Sequence, residues 1–222
     1  MSTPSTPLGA LKRLAETRAL FILRGLSESA LLDVAGAVER AGFSHLEITS
    51  DSPGMPGLIA RARARAPRLE IGAGTVLDRE TAAAVIGEGA SFLVSPHTDA
   101  ALIEFIVSCG AAAIPGAFTP TEILAAHRAG AAAVKLFPGP MATPAGLSDI
   151  RGPLPFIRFV PTGSIAIDAI PAWLEAGAFA VGVGRRALLG ANAAAGIVAA
   201  AELDATLARI ARITIAENPS AP

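Results

Sequence analysis

The chain of 222 residues has one cysteine, three histidines and only two lysines, and each scarcity excludes something. A single thiol, Cys109, forms no internal disulfide; with no histidine patterned near it, it reads as a small buried apolar residue rather than a nucleophile. His45, His97 and His127 lie far apart with no second ligand at helical or hairpin spacing, so no metal is expected. Net charge is −1 and no block of like charge exists, which removes the electrostatic case for nucleic acid or an anionic membrane. A small-molecule partner is the expectation that remains. The longest apolar stretches, such as 193–201, are far too short to span a membrane. The opening "MSTPSTPLGALKRLAETRAL" lacks the basic start, apolar centre and small-residue end of a cleaved leader. A soluble cytoplasmic protein is expected.

The scarcity of lysine matters most. Sixteen of the eighteen basic residues are arginine, consistent with a coding bias toward Ala and Arg. Lys12 sits in a polar N-terminal stretch, but Lys135 lies inside "AAAVKLFPGP", an apolar run that reads as a buried strand. A bias of this kind should remove buried lysines first, so Lys135 needs its own explanation.

Runs rich in β-formers recur and end in Gly, Pro, Ser or Thr: "LFILRG", "HLEITS", "LEIGAGT", "FLVSP", "AIPGAF", "AVKLFP", "FIRFVPTG" and "AFAVGVG". Their centres step by 20 to 26 residues, and helix-period segments such as "SESALLDVAGAVERAG" and "TPTEILAAHRAGA" lie between them. Several helices open on Ser, Thr or Asp and several close on Gly. Eight strand–helix units with short connections predict an α/β fold, a parallel eight-stranded (β/α)8 TIM barrel, with an open doubly wound sheet as the other architecture. One domain over 1–222 is expected, with its core at 20–190, an extra N-terminal helix at 8–18 covering the barrel bottom, a C-terminal helical segment at 191–217 and a short tail.

In a barrel, active sites gather at the carboxyl ends of the strands. The polar residues there are Arg24, Glu47, Thr49, Thr75, Ser95, Lys135, Thr162 and Arg185. If Lys135 points inward, then Leu136 faces the helices and Phe137 points inward beside it. Desolvation lowers a lysine's pKa and supplies a free amine able to attack a ketone; the alternative is a strand-end lysine snorkelling to solvent or paired with a carboxylate. Glu47, between Leu46 and Ile48, needs either a partner or a raised pKa. It reads as a general acid/base, or as half of an ion pair with Lys135 or Arg24. Arg24 suits the carboxylate of a 2-oxo acid, or an ion pair with Glu47. "IGAGTVLD" reads as a close-packed turn presenting Thr75. "GVGRRA" formally matches a dinucleotide loop, but it follows the last strand with no acidic residue on a later one, so no cofactor is expected. With "PTGSI" it better suggests an anion cradle of backbone N–H groups.

With these stretches assembled, the chain resembles the 2-keto-3-deoxy-6-phosphogluconate (KDPG) aldolase and 4-hydroxy-2-oxoglutarate aldolase family. "ILRG", "LEIT", "IGAGTVLD", "SPHTD", "IPGAFTPTE", "VKLFPGP", "FVPTG" and "GVG" occur in order over 20–190. The resemblance implies a homotrimeric class I aldolase releasing pyruvate from a 2-oxo acid, with KDPG as substrate. The alternatives are the same chemistry on 2-keto-3-deoxy-6-phosphogalactonate or 4-hydroxy-2-oxoglutarate, a phosphosugar isomerase or synthase barrel, and a non-catalytic sugar-acid-binding barrel. It makes Lys135 the Schiff-base lysine and Glu47 the acid/base. Thr75, Pro96 and Phe137 line the pyruvate pocket, and Arg24 holds the carboxylate where some members use an arginine at the position of Asp51. Thr162, Gly163, Ser164, Gly184 and Arg185 fall at the distal, phosphate end. The family pattern "PTGG" is Gly163-Ser164 here, and its "GS" after strand eight is Gly184-Arg185.

Overall fold

The computed structural model describes residues 9, 11–190 and 198–215. The eight β-rich runs become parallel strands: β1 (Ala19–Leu23), β2 (His45–Thr49), β3 (Glu70–Gly74), β4 (Phe92–Val94), β5 (Ala112–Ile114), β6 (Gly116–Ala117), β7 (Val134–Leu136), β8 (Phe159–Pro161) and β9 (Val181–Gly184). They form a six-stranded sheet in the order β5-β4-β3-β2-β1-β9 and a three-stranded sheet in the order β6-β7-β8.

The fifth predicted run is therefore two short strands. Pro115 divides it, because a proline has no N–H to give to a ladder. The residues before it pair with β4 and those after it with β7, while the Pro115 carbonyl still accepts from Lys135 N at 2.9 Å. At the other seam, Phe179 N donates to Phe159 O at 2.8 Å and Thr162 bridges Gly182 in parallel sense.

Helices follow the strands as the capping signals predict. Helix α1 (Lys12–Thr17) precedes β1, and α2 (Glu28–Arg40), α3 (Gly57–Arg65), α4 (Arg79–Gly87), α5 (Ala100–Ser108), α6 (Pro120–Arg128), α7 (Pro144–Arg151), α8 (Ile170–Glu175) and α9 (Arg185–Leu189) follow in turn. Ser27 caps α2 by accepting from Ala30 N, Asp78 and Asp99 cap α4 and α5, and Thr119 with Glu122 forms a full capping box on α6. The final helix, α10 (Ala200–Thr214), buries Leu203, Leu207 and Ile210 on one stripe.

Alternation along the strands separates two cores. Phe21, Leu46, Ile48, Leu93, Leu136 and Phe159 pack outward with the helices, while Leu20, Phe92, Val94, Ile114 and Val160 form a separate inner cluster. Leu11 and Leu14, at and within α1, join that inner cluster, which is the covering role expected of an N-terminal helix. Of the helix expected at 8–18, the structure describes Lys12–Thr17, with residues 8 and 10 outside the described residues, and the C-terminal helix occupies Ala200–Thr214 within the predicted 191–217. Residues 191–197 and the tail from 216 onward lie outside the described residues.

One reading is corrected. Cys109 is exposed, because it caps the end of α5, where the chain turns through Gly110 on the surface. Among the described residues, no helix is long and apolar enough to cross a membrane, and no three metal-capable side chains converge.

Candidate active site

A period of two puts Lys135 on the inner face of β7, since Val134 and Leu136 belong to the outer core. Lys135 is 8% exposed and its Nζ lies 4.8 Å from the centroid of the Phe137 ring, so both side chains point the same way, as the alternation predicts. Glu47 is on the inner face of β2 by the same rule and is 1% exposed. Its Oε2 is buried with no hydrogen-bond partner. Among the described residues no direct ion pair joins it to Lys135 or Arg24, although both cations act on it through space.

The electrostatics follow from this burial. Removal from water pushes the Glu47 carboxyl above its ordinary value, against the opposing pull of Lys135 and Arg24. Burial likewise pushes the Lys135 amine below its ordinary value; the Glu47 charge opposes this and Arg24 reinforces it. The two groups are therefore shifted toward each other in pH, the condition under which an amine stays nucleophilic and a carboxyl exchanges protons near neutrality.

Room for Glu47 is left by a residue without a side chain. A Cβ on Gly74 would lie 1.7 Å from Glu47 Oε1 and 2.4 Å from its Cδ, so the carboxyl occupies the space that any other residue would fill. Immediately after it, Thr75 takes a left-handed conformation at φ 59°, uncommon for a β-branched residue. Ser50 Oγ donates to Thr75 O at 2.8 Å, and Arg24 Nη2 donates to Thr75 Oγ1 at 2.7 Å. The other arm of Arg24 donates to Asp51 Oδ2 at 2.6 Å. Burial works to raise the Asp51 carboxyl, but hydrogen bonds from Thr49 and Arg24 outweigh it and hold the group below its ordinary value. The partner of Arg24 is thus Asp51, and the ion pair with Glu47 weighed from the sequence is absent; Arg24 is half exposed at the rim while Glu47 lies below it.

The rest of the predicted set lies at the same strand ends. Pro96 follows β4, and its carbonyl sits where a Cβ on Gly116 would lie, at 2.4 Å. Thr162 is buried; its hydroxyl donates to Val160 O and its carbonyl accepts from Gly139 N at 2.7 Å, so what it offers a ligand is its place in the turn. Gly163 and Ser164 both have positive φ, 117° and 49°, so Ser164 holds the left-handed backbone that a second glycine would take. Arg185 Nη1 donates to Gly25 O at 3.1 Å, reaching from the end of β9 across to the loop after β1.

A cleft of about 520 Å3 opens beside these groups, lined by Ile22, Arg24, Ser164, Gly184 and Arg185; Lys135 and Glu47 do not line it. It also includes Asp168, Arg186 and Arg209, which sequence reasoning missed: Arg209 belongs to the closing helix, and no spacing in the sequence relates it to a strand end. Gly74 was missed in its own right, although the "GAGT" turn around it was singled out.

A neutral lysine attacks carbonyls, and a carboxyl beside it moves the protons that such an attack displaces. With a strand-end cleft to admit a small acid, this equipment defines a carbon–carbon lyase that works through an imine. The comparisons agree. The family model "Aldolase: KDPG and KHG aldolase" matches residues 11–200, and the chain belongs to that family. It is 37% identical over 160 residues to the 2-dehydro-3-deoxy-phosphogluconate aldolase of Pseudomonas aeruginosa, covering 72% of this chain and 73% of that one. It is 34% identical over 165 residues to the 2-dehydro-3-deoxy-6-phosphogalactonate aldolase of Escherichia coli, covering 73% and 80% of the two chains. The crystal structure of the 2-keto-3-deoxy-6-phosphogluconate aldolase of Zymomonas mobilis ZM4 with 3-phosphoglycerate matches with TM-score 0.81 and 25% identity, over 93% of this chain and 95% of that one.

Proposed function

We propose that this class I aldolase cleaves KDPG to pyruvate and glyceraldehyde 3-phosphate, with Lys135 as Schiff-base nucleophile and Glu47 as proton shuttle. The observation that carries the reading is the burial of both groups on the inner face of the strands, each shifted by desolvation toward the form the reaction needs. Lys135 Nζ adds to the C2 carbonyl, and the carbinolamine loses water as Glu47 supplies and recovers protons. Glu47 then takes the proton of the C4 hydroxyl. The C3–C4 bond breaks, its electron pair flows toward the imine nitrogen, and the aldehyde departs. The remaining enamine is protonated at C3, and water releases pyruvate and the free amine. The unpartnered Glu47 Oε2 is the oxygen available for these transfers.

Arg24 and Thr75, fixed to one another, hold the C1 carboxylate, and Pro96 and Phe137 wall the pyruvate half. The turn of Thr162, Gly163 and Ser164, with Gly184 and Arg185, takes the distal phosphate; the left-handed Ser164 supports retention of the cradle despite the lost glycine. The 6-phosphogalactonate substrate, favoured by the Escherichia coli relative, differs at one carbinol carbon, and parallel assays of the two epimers separate them.

The two sheets act here as one closed (β/α)8 barrel forming a single domain. The covalent continuity of β5 and β6 through Pro115 supports this, as does the bridge between Thr162 and Gly182. A homotrimer in the cytoplasm accords with the family resemblance, and light scattering that gives a monomer would contradict the trimer. The deciding experiment is borohydride reduction in the presence of pyruvate: a stable adduct on the peptide carrying Lys135 is expected. No adduct would favour a phosphosugar isomerase or synthase in which Lys135 is only electrostatic.

A further inference from the structure

The distal half of the cleft carries more positive side chains than a backbone cradle requires. Arg185, Arg186 and Arg209 line it together with a single carboxylate, Asp168. Arg209 stands on the exposed side of α10, whose buried stripe of Leu203, Leu207 and Ile210 turns it toward the cleft. Two of the cleft's arginines are anchored by groups of the protein: Arg24 by Asp51 and Thr75, and Arg185 by the Gly25 carbonyl. Arg209 has a more exposed partner. It is paired with Asp168, whose side chain is 80% exposed in the short turn Ile167–Ala169 after β8.

A carboxylate this open gives up an arginine readily, because water replaces the contact as it leaves. A phosphate monoester then offers the guanidinium up to two charges and three acceptor oxygens, where a terminal carboxylate offers one charge and a hydroxyl none. We propose that Arg209 is a specificity-determining residue that exchanges Asp168 for the terminal phosphate of the substrate, so that α10 and the turn after β8 together select phosphorylated 2-oxo acids. Asp168 sharpens the choice, since an anion too weak to displace it meets its negative charge. The inference rests on the reading above that this cleft takes the distal half of an aldolase substrate.

The test compares cleavage of KDPG and of its unphosphorylated counterpart by the wild type, Arg209→Gln, Arg209→Lys and Asp168→Asn, with pyruvate–borohydride trapping in parallel. Arg209→Gln should raise KM for KDPG about five- to tenfold, the scale of one charge-assisted contact in a half-open cleft. KM for the unphosphorylated acid and the extent of trapping, which involves no distal group, should stay at wild-type values. Arg209→Lys should recover part of the loss, and Asp168→Asn should lower KM for KDPG by freeing the arginine. Equal shifts for both substrates, or none, would overturn the proposal. If Arg209→Gln does not fold, an unchanged KM in Asp168→Asn does so instead. Absence of trapping and turnover in the wild type would sink the aldolase reading itself, a separate outcome.

Discussion

Substituting Gly74 by alanine adds one methyl group and should disable the enzyme while leaving it folded. The added Cβ would start 1.7 Å from Glu47 Oε1, 2.4 Å from Cδ and 2.7 Å from Cγ. Ordinary contact is about 3.5 Å, so the carboxyl must retreat by well over 1 Å. The conflict falls on the far end of a flexible side chain rather than on backbone, and Gly74 is not among the positive-φ glycines, so the conformation itself suits alanine. The fold should lose only about 1–2 kcal/mol, at the low end of overpacking costs. Catalysis is less forgiving: a displacement of about 1 Å in a proton-transfer group costs on the order of a hundredfold. Steady-state kcat for KDPG cleavage should fall by about that factor, while borohydride still traps pyruvate on Lys135, whose own position is unaffected. Circular dichroism and the thermal midpoint establish that the variant is folded. Turnover within about threefold of wild type in a folded Gly74→Ala protein would refute both the placement of Glu47 and its role.

Glu47→Gln should slow turnover by about two or more orders of magnitude, the scale of a positioned proton shuttle, and remove from the pH–rate profile the inflection Glu47 contributes, which lies above the ordinary carboxylate range because burial raises the group. The same shift predicts a stability effect. A carboxyl whose folded pKa exceeds its unfolded value of 4.5 favours the fold fully below that value, and the contribution is lost as pH rises through the folded pKa. Thermal melts should therefore show Glu47→Gln gaining on wild type as pH rises above 4.5, and a constant difference across pH would count against the raised carboxyl. Gly116→Ala is the structural counterpart: its Cβ would lie 2.4 Å from the backbone carbonyl of Pro96, which has no rotamer to escape to, so a loss of about 3 kcal/mol or more is expected in denaturant titration.

The chemistry was legible because it required breaking composition rules. A lysine in an apolar run and a carboxylate between Leu46 and Ile48 are costly, so each stood out without any knowledge of the fold. The strand–helix rhythm was equally readable, since a period of two bounded by turn residues and caps is a local signal. Closer detail was not. Pro115 divides a strand that reads as one run, and Cys109, read as buried, lies on the surface at a helix end.

The sequence alone determined which polar residues sit at unusual buried positions and that alternating strands and helices present them there, because propensity, capping and burial cost act over a few neighbours. Only the tertiary structure decided who meets whom. Arg24 finds Asp51 rather than Glu47, Gly74 makes room for a carboxyl on the neighbouring strand, and Arg209 reaches a turn 41 residues earlier. These are consequences of register and packing between segments distant in the chain, and no local pattern encodes a distance.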